Sequence, residues 1–291
     1  MILPNRSVPE IAAMNRIVLL GENIEHSRSP QILNTLFRTY ELPYIYELQP
    51  LGGGEVVAAI GSLRTESYRG ANITSPHKER AATAVDILSE SANAIGAINT
   101  IVSESGTLIG HNTDIDGFAA TLTSEPLLHS NFSVAIIGTG GAARAAAFAL
   151  CRFGSMERTT IYSRSESRAV DTASRMDDPR IVGAALDRFV AADMIIQATP
   201  VGLTGNERAL VAADQLAGGT LFYEMIYSPP LTAQSRLALA AGLRVVNGQR
   251  MLVEQALRAF TLWTGIVATA DDLPDDLFAS TQPHPLPGSA R

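Results

Sequence analysis

Val134-Ala-Ile-Ile-Gly-Thr-Gly-Gly-Ala-Ala-Arg144 is the stretch whose reading decides the fold. A short apolar run enters a glycine-rich turn, and an alanine-rich segment leaves it. This is the strand, turn and helix start of a dinucleotide-binding unit. Gly138 permits the tight turn, and Gly140 lets the backbone approach a pyrophosphate without a Cβ in the way. Gly141 and Ala142 extend the run of small residues, and Ala143 stands at the third glycine position of the pattern. The free N–H groups and positive dipole end of the following helix attract phosphates. Thr159 to Ser163 then supply a second strand at the distance a βαβ unit requires. The competing reading is a glycine turn in some other α/β protein.

Working outward, periodicity predicts strands at Arg16–Gly21, Tyr44–Leu48 and Gly70–Ile73. Helical spacing covers Pro30–Tyr40, Glu55–Leu63 and Pro76–Leu88, the first through Ile32, Leu33, Leu36 and Phe37. Ala97–Val102 and Thr107–Gly110 read as a hairpin around Ser105-Gly106. A helix from about Asp116 to Leu122 crosses into the second half, where strands are expected at Ser133–Ile137, Thr159–Ser163, Ile181–Gly183, Met194–Gln197, Leu221–Glu224 and Arg244–Val246 with helices between them. A last helix from Met251 to Trp263 is expected to pack back on the first half. The fold class is α/β: an N-terminal α/β domain with a mostly parallel sheet, and a C-terminal Rossmann dinucleotide-binding domain. The expected boundaries are 15–115, completed by helix 251–265, and 116–248, with 1–14 and 272–291 as extended tails.

The 291 residues are 46% hydrophobic and 18% charged, which suits two well-cored domains and excludes wholesale disorder. A net charge of −7 argues against a nucleic-acid partner. No apolar run reaches the roughly 18 residues of a membrane span, and the first fourteen residues lack the apolar core of a signal peptide. Cys151 is the single cysteine. It fits a reducing cytoplasm, and its simplest role is that of a small buried apolar residue.

Five segments place polar side chains beside glycine or proline where a plain scaffold does not need them. In His26-Ser27-Arg28-Ser29-Pro30, Ser29 can cap the helix at Pro30, which leaves Ser27 free; two hydroxyls at i and i+2 can also converge on a carboxylate. In Gly70-Ala-Asn-Ile-Thr-Ser-Pro-His-Lys78, Asn72 and Thr74 share one face of a strand end. Lys78 falls in the first turn of a helix, a dipole position unfavourable to a cation that suits an acid/base group. In Gly96-Ala-Ile-Asn-Thr100, Asn99 can meet a sugar-like hydroxyl. In Gly110-His-Asn-Thr-Asp114, Asp114 is either the carboxylate facing Lys78 or an N-cap for a helix near Ile115. Gln255 lies on the apolar final helix, where it either joins the site or faces solvent.

These segments, with Gly138-Thr-Gly-Gly-Ala142, Tyr227-Ser-Pro229 and Gly248-Gln-Arg-Met-Leu-Val-Glu-Gln255, strongly resemble the shikimate dehydrogenase family. They occur in the family's order across nearly the whole folded part. The resemblance implies a two-domain enzyme that interconverts 3-dehydroshikimate and shikimate with a nicotinamide cofactor. It implies Lys78 and Asp114 as the catalytic pair, Ser27, Ser29 and Tyr227 as carboxylate ligands, and Asn72, Thr74, Asn99 and Gln255 as holders of ring hydroxyls. It also implies a coenzyme site at Gly138, Gly140, Gly141, Ala142, Thr199 and Gly248, with no metal ion.

NAD enzymes place an acidic residue at the end of the second strand. Here that strand runs into Ser163-Arg164-Ser165-Glu166-Ser167-Arg168. Arg164 and Arg168, flanked by Ser163 and Ser165, match the family's basic positions for a 2′-phosphate, so NADP is expected over NAD, although Glu166 lies close. Three departures from the family pattern stand out: Leu33 for histidine, Gln197 at the head of Gln197-Ala-Thr-Pro-Val-Gly202, and Glu224 for aspartate. They leave quinate- or aminoshikimate-type paralogues as alternatives, and a non-catalytic nucleotide-binding regulator as a third reading. The expected partners are small molecules; a monomer and a homodimer both remain open.

Overall fold

The computed structural model describes residues 15–52, 54–123, 131–153, 156–205 and 208–278. The first half runs β1 (Asn15–Gly21), α1 (Ser29–Thr39), β2 (Tyr44–Pro50), α2 (Val56–Ser62), β3 (Tyr68–Ile73), α3 (Lys78–Ala82), β4 (Ile87–Leu88), α4 (Glu90–Ile95), β5 (Thr100–Glu104) and β6 (Thr107–His111). Its sheet has the order β2-β1-β3-β5-β6-β4. β1 pairs parallel with β2 and β3, and β4 parallel with β6, while β5 is antiparallel to β3 and β6. The antiparallel step comes from Ser105 and Gly106, both at positive φ (48° and 82°), as a two-residue primed hairpin turn requires. Period-two alternation fills both faces: Ile17 and Leu19 join one core, Val18 and Leu20 the other.

Helix α5 (Thr113–Leu122) leads to β7 (Phe132–Ile137), α6 (Gly141–Phe153), β8 (Met156–Ser163), α7 (Glu166–Ser174), β9 (Ile181–Ala185), β10 (Met194–Gln197), β11 (Leu221–Glu224), α8 (Ala233–Ala240), β12 (Arg244–Asn247) and α9 (Gln249–Thr264). The six strands are all parallel, in the order β12-β11-β10-β7-β8-β9. This is the doubly wound order, and it reverses between β7 and β10, the switch point where such folds bind ligands. Gly138 sits there at φ +130°, and a Cβ on it would come within 2.8 Å of the Ala198 carbonyl oxygen. Helix α9 packs back on the first half as expected. Val253, Leu257, Phe260 and Trp263 share a core with α1, β1 and β2, and Trp263 Nε1 donates to the Ile101 carbonyl at 2.9 Å.

Some expectations change. The segment Pro76–Leu88 is not one helix. α3 ends after five residues, and the chain turns to pair with β6: Asp86 N donates to the Leu108 carbonyl, and Asp86 Oδ2 accepts from Leu108 N. A separate helix α4 then starts at its cap, Ser89, whose side chain accepts from Ala92 N. Among the described residues, only a 3-10 turn (Leu186–Arg188) lies between β9 and β10, and only another (Asp214–Leu216) between β10 and β11. The stretch expected as a tail from 272 continues through Phe278 in the 3-10 turn Asp275–Phe278, with Leu273 buried and the Tyr40 hydroxyl donating to Asp272 Oδ2 at 3.0 Å. Positions 1–14 and 279–291 lie outside the described residues. Among the described residues, no helix is long and apolar enough to cross a membrane.

Candidate active site

Lys78 is the first residue of α3, and Asp114 lies in the first turn of α5. The two meet: Lys78 Nζ donates to Asp114 Oδ2 at 2.6 Å, with the two side chains only 14% and 9% exposed. Asp114 is not the N-cap of α5. Asn112 takes that role through its Oδ1, which accepts from Asp114 N, while its Nδ2 donates to the Ala97 carbonyl at 2.9 Å. The carboxylate of Asp114 is thereby left for other partners. Its second oxygen, Oδ1, accepts from Asn99 Nδ2 at 2.9 Å.

Asn99 is itself held on several sides. Its Oδ1 accepts from Thr113 N at 2.7 Å and from Thr100 Oγ1 at 3.0 Å, and its Nδ2 reaches Gln255 Oε1 at 3.4 Å. Gln255 therefore faces the site, not solvent. Asn72 is buried, donating to the Asn99 carbonyl and to Thr100 Oγ1 and accepting from the Tyr46 hydroxyl at 2.7 Å.

At the other end, Ser29 is the first residue of α1, and its hydroxyl does not cap that helix. Ser27 Oγ donates to Ser29 Oγ at 3.2 Å and accepts from Ser29 N at 3.3 Å, so the loop folds the two hydroxyls together. Ser27, Ser29, Asn72, Thr74, Asn99, Tyr227 and Gln255 all line one cavity of about 370 Å³ with Lys78 and Asp114. Ala142 and Gly248 reach the same cavity from the second sheet's side.

The remaining coenzyme candidates cluster at the carboxyl end of the second sheet. Gly138 and Gly140 follow β7, and a Cβ on Gly140 would meet nothing within 4 Å, so this turn offers open backbone to a diphosphate. Gly141 opens α6. Ser163 ends β8; Ser165 caps α7, its side chain accepting from Arg168 N; Arg164 and Arg168 are exposed beside it. Glu166 is drawn to Arg188, whose Nη1 lies 3.2 Å from Glu166 Oε1. Glu157, the acidic residue nearest in count, lies at the far end of β8. Thr199 follows β10, its hydroxyl donating to Gln197 Oε1 at 3.0 Å. These groups fit a phosphorylated dinucleotide: exposed guanidinium groups and open turn backbone match its 2′-phosphate and diphosphate. Among the described residues, no group of three or more His, Cys, Asp or Glu could hold a metal ion.

Comparison with known proteins identifies the family. The family model described as "Shikimate dehydrogenase substrate binding domain" matches residues 19–101, and "Shikimate 5'-dehydrogenase C-terminal domain" matches 248–271. A Chlorobaculum tepidum protein named shikimate dehydrogenase (NADP(+)) is 34% identical, with 90% of this chain and 93% of that protein covered. The chain belongs to the shikimate dehydrogenase family. A Thermus thermophilus member crystallised with NADP(H) and shikimate superposes with a TM-score of 0.79 at 31% identity, covering 89% of this chain and 97% of that one. A Corynebacterium glutamicum quinate dehydrogenase in complex with NAD gives 0.74 at 27% identity, covering 87% and 95%.

The departures from the family pattern now have structural explanations. Leu33 is fully buried in the core under α9. Gln197 is buried, and its Nε2 donates to the Val201 carbonyl at 3.0 Å, closing the turn after β10. Glu224 is buried at the end of β11; its carboxylate accepts from the Thr232 and Ser235 hydroxyls and from Ile226 N, closing the loop that carries Tyr227. Burial pushes its pKa up to about 7. Sequence reasoning missed Tyr46, which is buried beside the cavity. The alternation of β2 marked its face but not its partner. It also gave no role to Thr113, whose hydroxyl accepts from Asn99 Nδ2 at 2.9 Å.

Proposed function

We propose that this chain catalyses the NADP-dependent, reversible reduction of 3-dehydroshikimate to shikimate. The reaction would take place between a substrate lobe (15–115, completed by α9) and a coenzyme lobe (116–248). The observation that carries this reading is the 2.6 Å pair of Lys78 and Asp114, set in one cavity with hydroxyl and amide side chains suited to a polyol acid.

The coenzyme, when bound, supplies or accepts the hydride. Reduction of a ketone leaves negative charge on its oxygen, and Lys78 Nζ donates the proton there; in the reverse direction Nζ takes the hydroxyl proton. Asp114 holds the ammonium form and aims it. Because Asn99 grips Oδ1 and the Asn112 cap fixes the backbone of Asp114, the carboxylate has one orientation. Ser27, Ser29 and Tyr227 give the substrate carboxylate its donors. Asn72, Thr74, Asn99 and Gln255 bind ring hydroxyls, and Asn72 also braces the Asn99 backbone. Arg164 and Arg168 would bind the 2′-phosphate. We place the enzyme in the cytoplasm, where Cys151 stays reduced.

The test is a panel of shikimate, quinate and aminoshikimate with NADP and with NAD. The expected result is the highest kcat/KM for shikimate with NADP. A quinate or NAD preference would move the chain to a paralogue. Coenzyme binding without turnover of any panel member would make it a nucleotide-binding regulator.

A further inference from the structure

The arginine that closes the glycine-rich motif has no part in the reading above. Arg144 is the fourth residue of α6, in the coenzyme lobe, yet its side chain reaches the substrate lobe. It is 8% exposed. Nη2 donates to Glu79 Oε2 at 2.9 Å and Nη1 to the Ile95 carbonyl at 3.3 Å, while Nε meets no acceptor among the described residues. A buried guanidinium is costly unless well paired, and Glu79 is 47% exposed, so stability alone gives little reason for this arginine.

Its neighbour on the same helix face gives a better reason. Gly141 lies three residues earlier, and residues at i and i+3 face the same way. A Cβ on Gly141 would lie 3.1 Å from Lys78 Cδ and 3.3 Å from Lys78 Cβ. Two positions of α6, Gly141 and Arg144, therefore grip two consecutive positions of α3, Lys78 and Glu79. Helix α3 has only five residues, too few to hold its place without outside contacts.

We propose that Arg144 is a positioning residue: by holding Glu79 it fixes the α3 turn, and with it Lys78 Nζ, against the helix whose N-terminus receives the coenzyme. The ion pair thus couples the two lobes at the point where the proton donor must face the nicotinamide. The kinetic consequence rests on the dehydrogenase reading; the structural one does not.

The experiment compares Arg144→Met, Arg144→Lys, Glu79→Gln and the Arg144→Met/Glu79→Gln double variant. The structural arm is hydrogen exchange of residues 76–83, which does not depend on turnover. We expect Arg144→Met and Glu79→Gln to speed exchange there by tenfold or more. Unchanged exchange overturns the proposal. The kinetic arm uses saturating shikimate and NADP. We expect kcat to fall at least tenfold in Arg144→Met, with shikimate KM and NADP Kd within threefold, partial recovery in Arg144→Lys, and a double variant no worse than Arg144→Met. Additive losses, or a loss confined to NADP Kd, overturn it. Glu79→Gln changes a half-exposed side chain and stays informative if the arginine variants fold poorly. If the variants speed exchange as expected but the wild type shows no turnover, the proposed function fails and the Arg144–Glu79 coupling stands.

Discussion

Lys78 Nζ and Asp114 Oδ2 lie 2.6 Å apart although 36 positions separate the residues in the chain. The β5–β6 hairpin brings them together: it carries the chain from Asn99 out and back to Asn112, so α5 begins beside the start of α3. Lys78→Ala should lower kcat by two to four orders of magnitude, the usual contribution of a positioned acid/base group. Asp114→Asn should lower it similarly, because the amine loses its orienting charge. NADP binding, followed by fluorescence titration, should be unchanged in both. A kcat within tenfold of wild type in Lys78→Ala would refute the assignment.

Arg164 and Arg168 are the exposed cations beside the Ser165 cap. Charge-assisted bonds to phosphate are worth about 1.5–3 kcal/mol each, so removing one should cost roughly 10–100-fold. Arg164→Ala and Arg168→Ala should each lower kcat/KM for NADP by that factor and leave the value for NAD nearly constant. Equal losses with both coenzymes would show that these arginines do not read the 2′-phosphate.

Arg188 pairs with Glu166 at 3.2 Å in the same region. Freed of this partner, Glu166 would repel a 2′-phosphate more strongly. Arg188→Ala should therefore narrow the NADP preference, and adding Glu166→Gln should restore it. Both side chains are largely exposed, so the effect should be a few-fold and should shrink at high salt. The ratio of kcat/KM for the two coenzymes at low and high salt measures it.

Glu224 carries a pKa raised to about 7 by burial, against 4.5 for a free glutamate. Between those values the folded chain keeps a proton that the unfolded chain has released. Stability from this group is present in full below about pH 4.5 and is lost as pH rises through 7, a change on the order of 3 kcal/mol. Glu224→Gln cannot ionise. The difference in Tm between pH 5 and pH 8 should be clearly smaller in this variant than in wild type; equal differences would refute the assignment.

Cys151 is half-buried on α6, and burial together with Asp178 pushes its thiol up to about 11. At pH 8 only about one thiol in a thousand is ionised, and the thiolate is the reactive form. Alkylation by iodoacetamide should run on the order of 100-fold slower than for a free thiol, and Cys151→Ala should retain activity. Fast labelling would refute this.

Most of the fold was legible because one periodicity governed each element. β10 and β11 fall where the apolar runs placed them, since strands buried on both faces are mostly apolar; only Gln197 and Glu224 at their ends depart from this. The Pro76–Leu88 helix was misread because its apolar spacing also suits a chain that leaves the helix to bond β6 through Asp86. Capping was ambiguous for a similar reason. Ser29 and Asp114 carry side chains that can cap a helix locally; Ser29 instead meets Ser27, and Asn112 takes the cap of α5 while Asp114 turns to the distant Lys78 and Asn99.

The sequence by itself determined the two α/β halves and the glycine-rich turn, because strand period and glycine placement are local properties; the polar residues around the cavity were named from their side-chain chemistry together with the family resemblance, which alone supplied Tyr227. Only the tertiary structure decided which of those residues touch. Lys78 meets Asp114, Asn99 steadies the carboxylate, Tyr46 backs Asn72 and Arg144 crosses to Glu79. These contacts depend on sheet order and on how α9 and α6 close against the first lobe, and no spacing along the chain records that geometry.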